Sequence, residues 1–172
     1  SRLCPEALAA VGGFRPPALF GARQNLLAAM PVSRLHGNAS ASWPSLFLGG
    51  RGTSSGLHTD VLESHFWMLV LSGAKRWAVS LRRDVAMLCP RKSAAASSER
   101  FRASILREGS YACATAAAAA VYEGVVAAGD FLFIPSGSPH EVQNGADDAD
   151  DRPCLAVSYN YADAANAAHF AR

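Results

Sequence analysis

Charge is scarce and balanced in this sequence. Sixteen Lys and Arg face fourteen Asp and Glu over 172 residues, a net charge of +2. That field is too weak to imply nucleic acid as a partner. No apolar run approaches the ~20 residues that a membrane span needs, so no membrane partner is expected. The opening stretch, "SRLCPEALAAVGG", lacks a basic start followed by a long apolar run, so no secretory signal is expected. It begins with Ser1 rather than Met, which suggests a piece of a longer protein. CxxC pairs are absent too: Cys4, Cys89, Cys113 and Cys154 lie far apart, against both a zinc knuckle and a disulfide framework. Reduced thiols in an intracellular protein, nuclear or cytoplasmic, are the expectation.

What is present is globular. Half of the residues are apolar, and the length fits a single domain over 1–172 with a sizeable core. The first third reads as helical and irregular, with "PEALAAV" and "GARQNLLAAM" as short helices, the second stopped before Pro31. From Ser45 onward β-type runs appear: "SLFLGG", "FWMLVLSG" and "KRWAVSL", the last two separated by Gly73-Ala74, a hairpin signal. Residues 84–120, with an alanine tract from Ala116 to Ala120, lose that pattern and read as a partly helical, partly mobile insertion. Strands return in "AVYEGVVAAG", "DFLFIPSG", "HEVQN" and "CLAVSYNY". "ADDADD", 146–151, is an acidic turn before the last of them, and "ADAANAAHFAR" closes the chain as a helix. No internal repeat is visible. Several short strands with turn punctuation imply a mainly β sandwich or barrel.

One constellation carries chemistry. Residues two apart on a strand share a face, so His58 and Asp60 in "SSGLHTDVLESHFW" can project together into a barrel interior. His140 opens a strand after a Pro-Ser-Gly turn in "GDFLFIPSGSPHEVQN". Two imidazoles and one carboxylate on one side of a metal leave the opposite positions open, the facial arrangement of non-heme Fe(II) oxygenases. His36, His65 and His169 are read as structural or merely exposed. Lys75 begins an otherwise apolar strand, where an ammonium is costly without a partner. It reads either as a surface lysine or as an anchor for the distal carboxylate of 2-oxoglutarate, with the hydroxyls of Ser55 and Ser158 completing the grip.

Taken together, "SGLHTDVLESHFWMLVLSGAKRWAV", "GDFLFIPSGSPHEVQN" and "CLAVSYNYAD" resemble a JmjC (jumonji/cupin-like) 2-oxoglutarate oxygenase over about residues 45–163. Within that family the likeness is greatest to the small hydroxylase branch, and to the jumonji lysyl hydroxylase in particular. The resemblance implies a double-stranded β-helix with N-terminal helices. It implies His58, Asp60 and His140 as iron ligands, and Ser55, Lys75, Asn144, Ser158 and Asn160 as the residues around 2-oxoglutarate. One position departs from the pattern. The Trp-Asn pair after the metal strand is Trp67-Met68 here, and Met68 cannot donate the hydrogen bond that the asparagine makes.

The expected activity is therefore an oxygenase dependent on Fe(II), 2-oxoglutarate and O2. It hydroxylates a protein or peptide side chain and releases succinate and CO2. N-methyl-lysine demethylation is the same chemistry followed by loss of formaldehyde, and stays open. A non-catalytic cupin-type binding module is the alternative from a different class. Specificity would lie in loops and the insertion, where no code is readable.

Overall fold

A computed structural model describes residues 17–20, 25–29, 44–91, 100–106, 114–145 and 152–170. "PEALAAV", "ADDADD" and His36 lie outside the described residues. Within them the strands are β1 Ser45–Gly49, β2 Ser54–His58, β3 His65–Ser72, β4 Ala74–Ser80, β5 Pro90–Arg91, β6 Arg100–Phe101, β7 Val121–Ala127, β8 Phe131–Ile134, β9 His140–Asn144 and β10 Cys154–Tyr161. They form two antiparallel sheets, ordered β1-β10-β3-β8 and β5-β6-β2-β9-β4-β7. Among the described residues, helix is limited to one-turn α1 Leu26–Ala29 and α2 Ala167–Phe170 and to 3-10 turns. The fold is mainly β, as the strand pattern implied, and has the double-stranded β-helix architecture that the resemblance implied.

Period-two alternation decides what each strand buries. On β3, Phe66, Met68 and Val70 face inward and meet Trp77 and Val126 from the other sheet, with Ile134 and Ala156 beside them. Truncating a residue such as Phe66 to alanine removes about 3–5 kcal/mol of packing. The opposite face of β3 is also buried. Trp67 packs with Val157 and Tyr161 under Phe20, whose ring stacks on Phe131 and Phe133 at 5.5 and 5.6 Å. The buried Asn25 fixes this N-terminal cover. It accepts from the Ala162 and Leu27 amides and donates to the Asn160 carbonyl, all next to the end of β10.

Three sequence expectations change. Gly73-Ala74 is not a hairpin, because β3 and β4 do not pair: β3 lies between β10 and β8, and β4 between β9 and β7. The turn instead crosses from one sheet to the other. Gly73 makes it possible with φ +70°, and a Cβ there would sit 3.1 Å from the Cys154 Cα. Local turn residues signal a reversal but not the strand partner. The described part of the insertion is also more ordered in pattern than its composition implies. Its short strands β5 and β6 extend the sheet beside β2, and Leu88, Phe101, Ile105 and Ala116 form a second core with Leu57 and Ala78. The buried Glu141 anchors it by accepting from the Ser104 hydroxyl and the Ile105 amide. Finally, the cysteines are not all reduced. Cys154 is free, but Cys89 is in a disulfide whose other half lies outside the described residues. Separation along the chain says little about separation in a folded barrel.

Candidate metal centre and its pocket

His58 ends β2 and His140 begins β9, and the two are directly paired across the strands. Asp60 lies two residues past His58, just beyond the strand end. Their ligand atoms all fall within 4.8 Å of one another. His140 Nε2 is 3.8 Å from Asp60 Oδ2, and the two rings are 4.4 Å apart at 57°. Each imidazole donates its Nδ1–H to a main-chain carbonyl, His58 to Gly56 at 2.7 Å and His140 to Ser138 at 3.0 Å. A carbonyl only accepts, so both Nδ1 atoms carry the proton and both Nε2 lone pairs are left for a metal.

A register slip builds this arrangement. Ser55 pairs with Val142 and His58 with His140, three steps on β2 against two on β9. The extra residue is a β-bulge at Gly56-Leu57, which restores Ser55 and His58 to one face despite their odd spacing. Leu57 then points the other way, into the second core.

Burial sets the charge states. It depresses His58 to about 4, helped by the neighbouring His140, and His140 to about 4, partly offset by its hydrogen bond to Ser138. Burial also raises Asp60 to about 6, while His58 and a hydrogen bond from Asn160 draw it back. Neutral imidazoles are the form that binds metal. A carboxylate whose negative charge is under-compensated is the group a divalent cation would relieve. The donor set of two imidazole nitrogens and one carboxylate suits iron or a similar first-row ion.

The ligands open into a pocket of about 290 Å³. All the residues expected around a co-substrate line it: Ser55, Lys75, Asn144, Ser158 and Asn160, with Met68 in the wall. Lys75 is almost completely buried at 3% exposure. Its ammonium donates to Asn144 Oδ1 at 2.6 Å and also contacts the Cys154 thiol. Burial holds Lys75 below the ordinary lysine range, only partly offset by Cys154, and pushes the thiol up. Asn144 in turn donates to Thr53 Oγ1 at 2.8 Å. Ser158 is buried between Ser45 and Met68 in the sheet. Asn160 donates to Ser64 Oγ at 2.8 Å, behind Asp60. His65 is outside the pocket: it accepts from the Ser136 amide and lies 3.8 Å from Asp163.

Sequence reading missed several wall residues. Of these, Trp77 was legible, since it shares strand parity with Lys75. Phe47 and Gly49 had no such signal, because β1 reaches the pocket through its pairing with β10.

A cupin-like domain model matches residues 17–167. The chain belongs to the cupin-like domain family. No curated protein matches it. Solved structures similar to this cupin-like domain include the Drosophila melanogaster CENP-C cupin domain, at 12% identity and TM-score 0.39, over 67% of this chain and 57% of that one. Drosophila melanogaster CENP-C bound to CAL1 is similar at 11% identity and TM-score 0.39, over 67% and 61%. The chain spans about three-fifths of those chains. A likeness so distant says nothing of what this cupin-like domain binds. Among its described residues no helix is long and apolar enough to cross a membrane.

Proposed function

We propose that this cupin-like domain is an Fe(II)- and 2-oxoglutarate-dependent oxygenase that hydroxylates a side chain of a protein or peptide. One observation carries the reading: a convergent His-Asp-His cluster and a buried ammonium with no carboxylate partner among the described residues share one pocket. His58, Asp60 and His140 would hold the iron. Bound there, iron supplies the O2 activation that couples oxidative decarboxylation of 2-oxoglutarate to hydroxylation of a C–H bond, with succinate and CO2 as co-products.

The chain's own residues do the rest. Lys75 receives the far carboxylate of 2-oxoglutarate, and Ser158 and Ser55 offer hydroxyls to it. Asn144 fixes the ammonium, Asn160 steadies Asp60 from behind, and Phe66, Met68 and Trp77 keep water from the pocket's apolar wall. No protein acid or base is needed where the C–H bond breaks. The likeness to the lysyl hydroxylase branch favours hydroxylation over demethylation, and the two differ only in whether formaldehyde is released. The intracellular expectation was read from reduced thiols, and a disulfide at Cys89 is more at home in an oxidising compartment.

A binding module without turnover is the second reading, favoured by Met68 where a hydrogen-bonding side chain would hold the co-substrate. Succinate release from 2-oxoglutarate, measured with Fe(II) and ascorbate, with and without candidate peptides, decides between them. Release that disappears in Asp60→Ala supports the oxygenase. No release under any of these conditions leaves the module.

A further inference from the structure

Two arginines stand on the sheet face beside the metal ligands, and the insertion supplies them. Arg100 on β6 pairs directly with His58 on β2. Its neighbour Phe101 points into the second core with Leu57, so Arg100 projects on the opposite side, the side of His58. Arg91 on β5 pairs directly with Arg100 and shares that face. His140, His58, Arg100 and Arg91 thus form one row across four adjacent strands. With strands about 4.8 Å apart, the two arginines start roughly 5 and 10 Å from His58.

Like charges directly opposite each other on a sheet repel, and neither arginine makes an ion pair or hydrogen bond among the described residues. Both are exposed. Arg100 is close enough to disfavour protonation of both His58 and His140. A cation placed there also opposes a metal ion unless an anion comes between. The β1 side of the mouth is apolar instead, with Phe47 and Leu48 exposed.

We infer that Arg91 and Arg100 form an anion clamp at the pocket rim, and that the substrate is a peptide carrying an aspartate or glutamate next to the residue presented to the metal. The word substrate rests on the oxygenase reading; the clamp itself does not. An acidic group on the arginines and an apolar neighbour on Phe47 and Leu48 fit the two sides of the mouth. A nucleic-acid strand would bring a long row of phosphates to a domain with a net charge of only +2 and two aligned cations.

The test is binding, not turnover. Fluorescence anisotropy on the full chain, loaded with Mn(II) and 2-oxoglutarate, compares three labelled peptides of one length and order that carry glutamate, glutamine or lysine at the same positions. A labelled oligothymidylate is the fourth probe. The expected order is glutamate over glutamine over lysine. Arg91→Gln and Arg100→Gln should each weaken the glutamate peptide roughly 2- to 5-fold, as exposed ion pairs do. The double variant should lose the discrimination, and Arg100→Glu should turn it toward lysine. All variants should melt no lower than the wild type, since a like-charge contact is removed.

Equal binding of the glutamate and glutamine peptides overturns the clamp, as does discrimination that survives in the double variant or binding of no peptide at all. Tighter binding of oligothymidylate, lost in the double variant, overturns the peptide in favour of a phosphate chain. A matching loss of 2-oxoglutarate affinity assigns the arginines to the co-substrate and also overturns it. If discrimination holds while succinate release fails, only the catalytic reading falls.

Discussion

The two ends of the pocket are opposite in what they are short of. At one end the buried Asp60 is raised to about 6 beside two neutral imidazoles, so that end is short of positive charge. At the other end the buried Lys75 ammonium has, among the described residues, an amide and a thiol for company and no carboxylate, so that end is short of negative charge. They are nevertheless not joined into an ion pair, which would be the simplest way to satisfy both. The chain holds them apart on one sheet face, Lys75 opposite Asn144 and His58 opposite His140, with Val142 between. A pocket short of a cation at one end and of an anion at the other suits the metal and the acid of the proposed function.

The largest effect should come from emptying the metal end. His58→Ala or Asp60→Ala should abolish metal binding, read as metal stoichiometry after dialysis, and all turnover, while circular dichroism shows the barrel intact. Wild-type turnover at saturating iron in either variant would break the contrast between the two ends at its source.

Lys75→Ala tests the other end. Losing a charge-assisted partner costs about 1.5–3 kcal/mol, so the 2-oxoglutarate requirement should rise roughly 10- to 150-fold with metal binding unchanged. The protein should not lose stability, because the variant also removes a buried ammonium that no carboxylate compensates. An unchanged co-substrate titration takes Lys75 out of the site.

A pH series sharpens the same point. Lys75 in the folded protein titrates below the ordinary lysine range, so as pH rises the folded chain gives up this proton before the unfolded chain does. Its contribution to stability is therefore poorest below the folded value and recovers as pH climbs through that value toward that of a free lysine. Co-substrate binding needs the ammonium and runs the other way, weakening on the alkaline side earlier than an exposed lysine would allow. Isothermal titration with 2-oxoglutarate should show that alkaline limb in the wild type and not in Lys75→Ala.

The smallest effect belongs to Met68, which lies in the wall between the ends. If an amide fits there, Met68→Asn should tighten 2-oxoglutarate by about one hydrogen bond, ~0.5–1.5 kcal/mol, with little change in melting temperature. If Met68 serves only the core, the variant buries an unpaired amide at a cost of ~1–3 kcal/mol and leaves affinity unchanged. Both quantities are measured on the one protein.

How much of this was readable in the sequence differs by residue. The β runs were legible because alternation and turn residues are local signals, and His58, Asp60 and His140 do come together, although Asp60 lies beyond the end of β2 and not on its face as strand parity had it. Lys75 stood out because its neighbours are apolar. Which strand pairs with which was not legible, as the Gly73-Ala74 turn shows: a crossing between sheets and a hairpin use the same turn chemistry. Arg91 and Arg100 were unremarkable in a stretch rich in Ala, Ser and charge, and acquire meaning only from their register with His58. Cys89 was misread for the same reason, since contact across a fold leaves no mark in local spacing.

The bulge at Gly56-Leu57 has a consequence for how such a domain can change over generations. One extra residue is absorbed there, so deleting Gly56 would leave Ser55 opposite Val142 and His58 opposite His140 in a regular ladder, the two side chains still on one face and Leu57 still on the other. Loss of that single codon is a change the metal centre should survive. A one-residue loss on either side of the bulge has no such buffer, because a slip of one in a regular strand turns every following side chain to the other face.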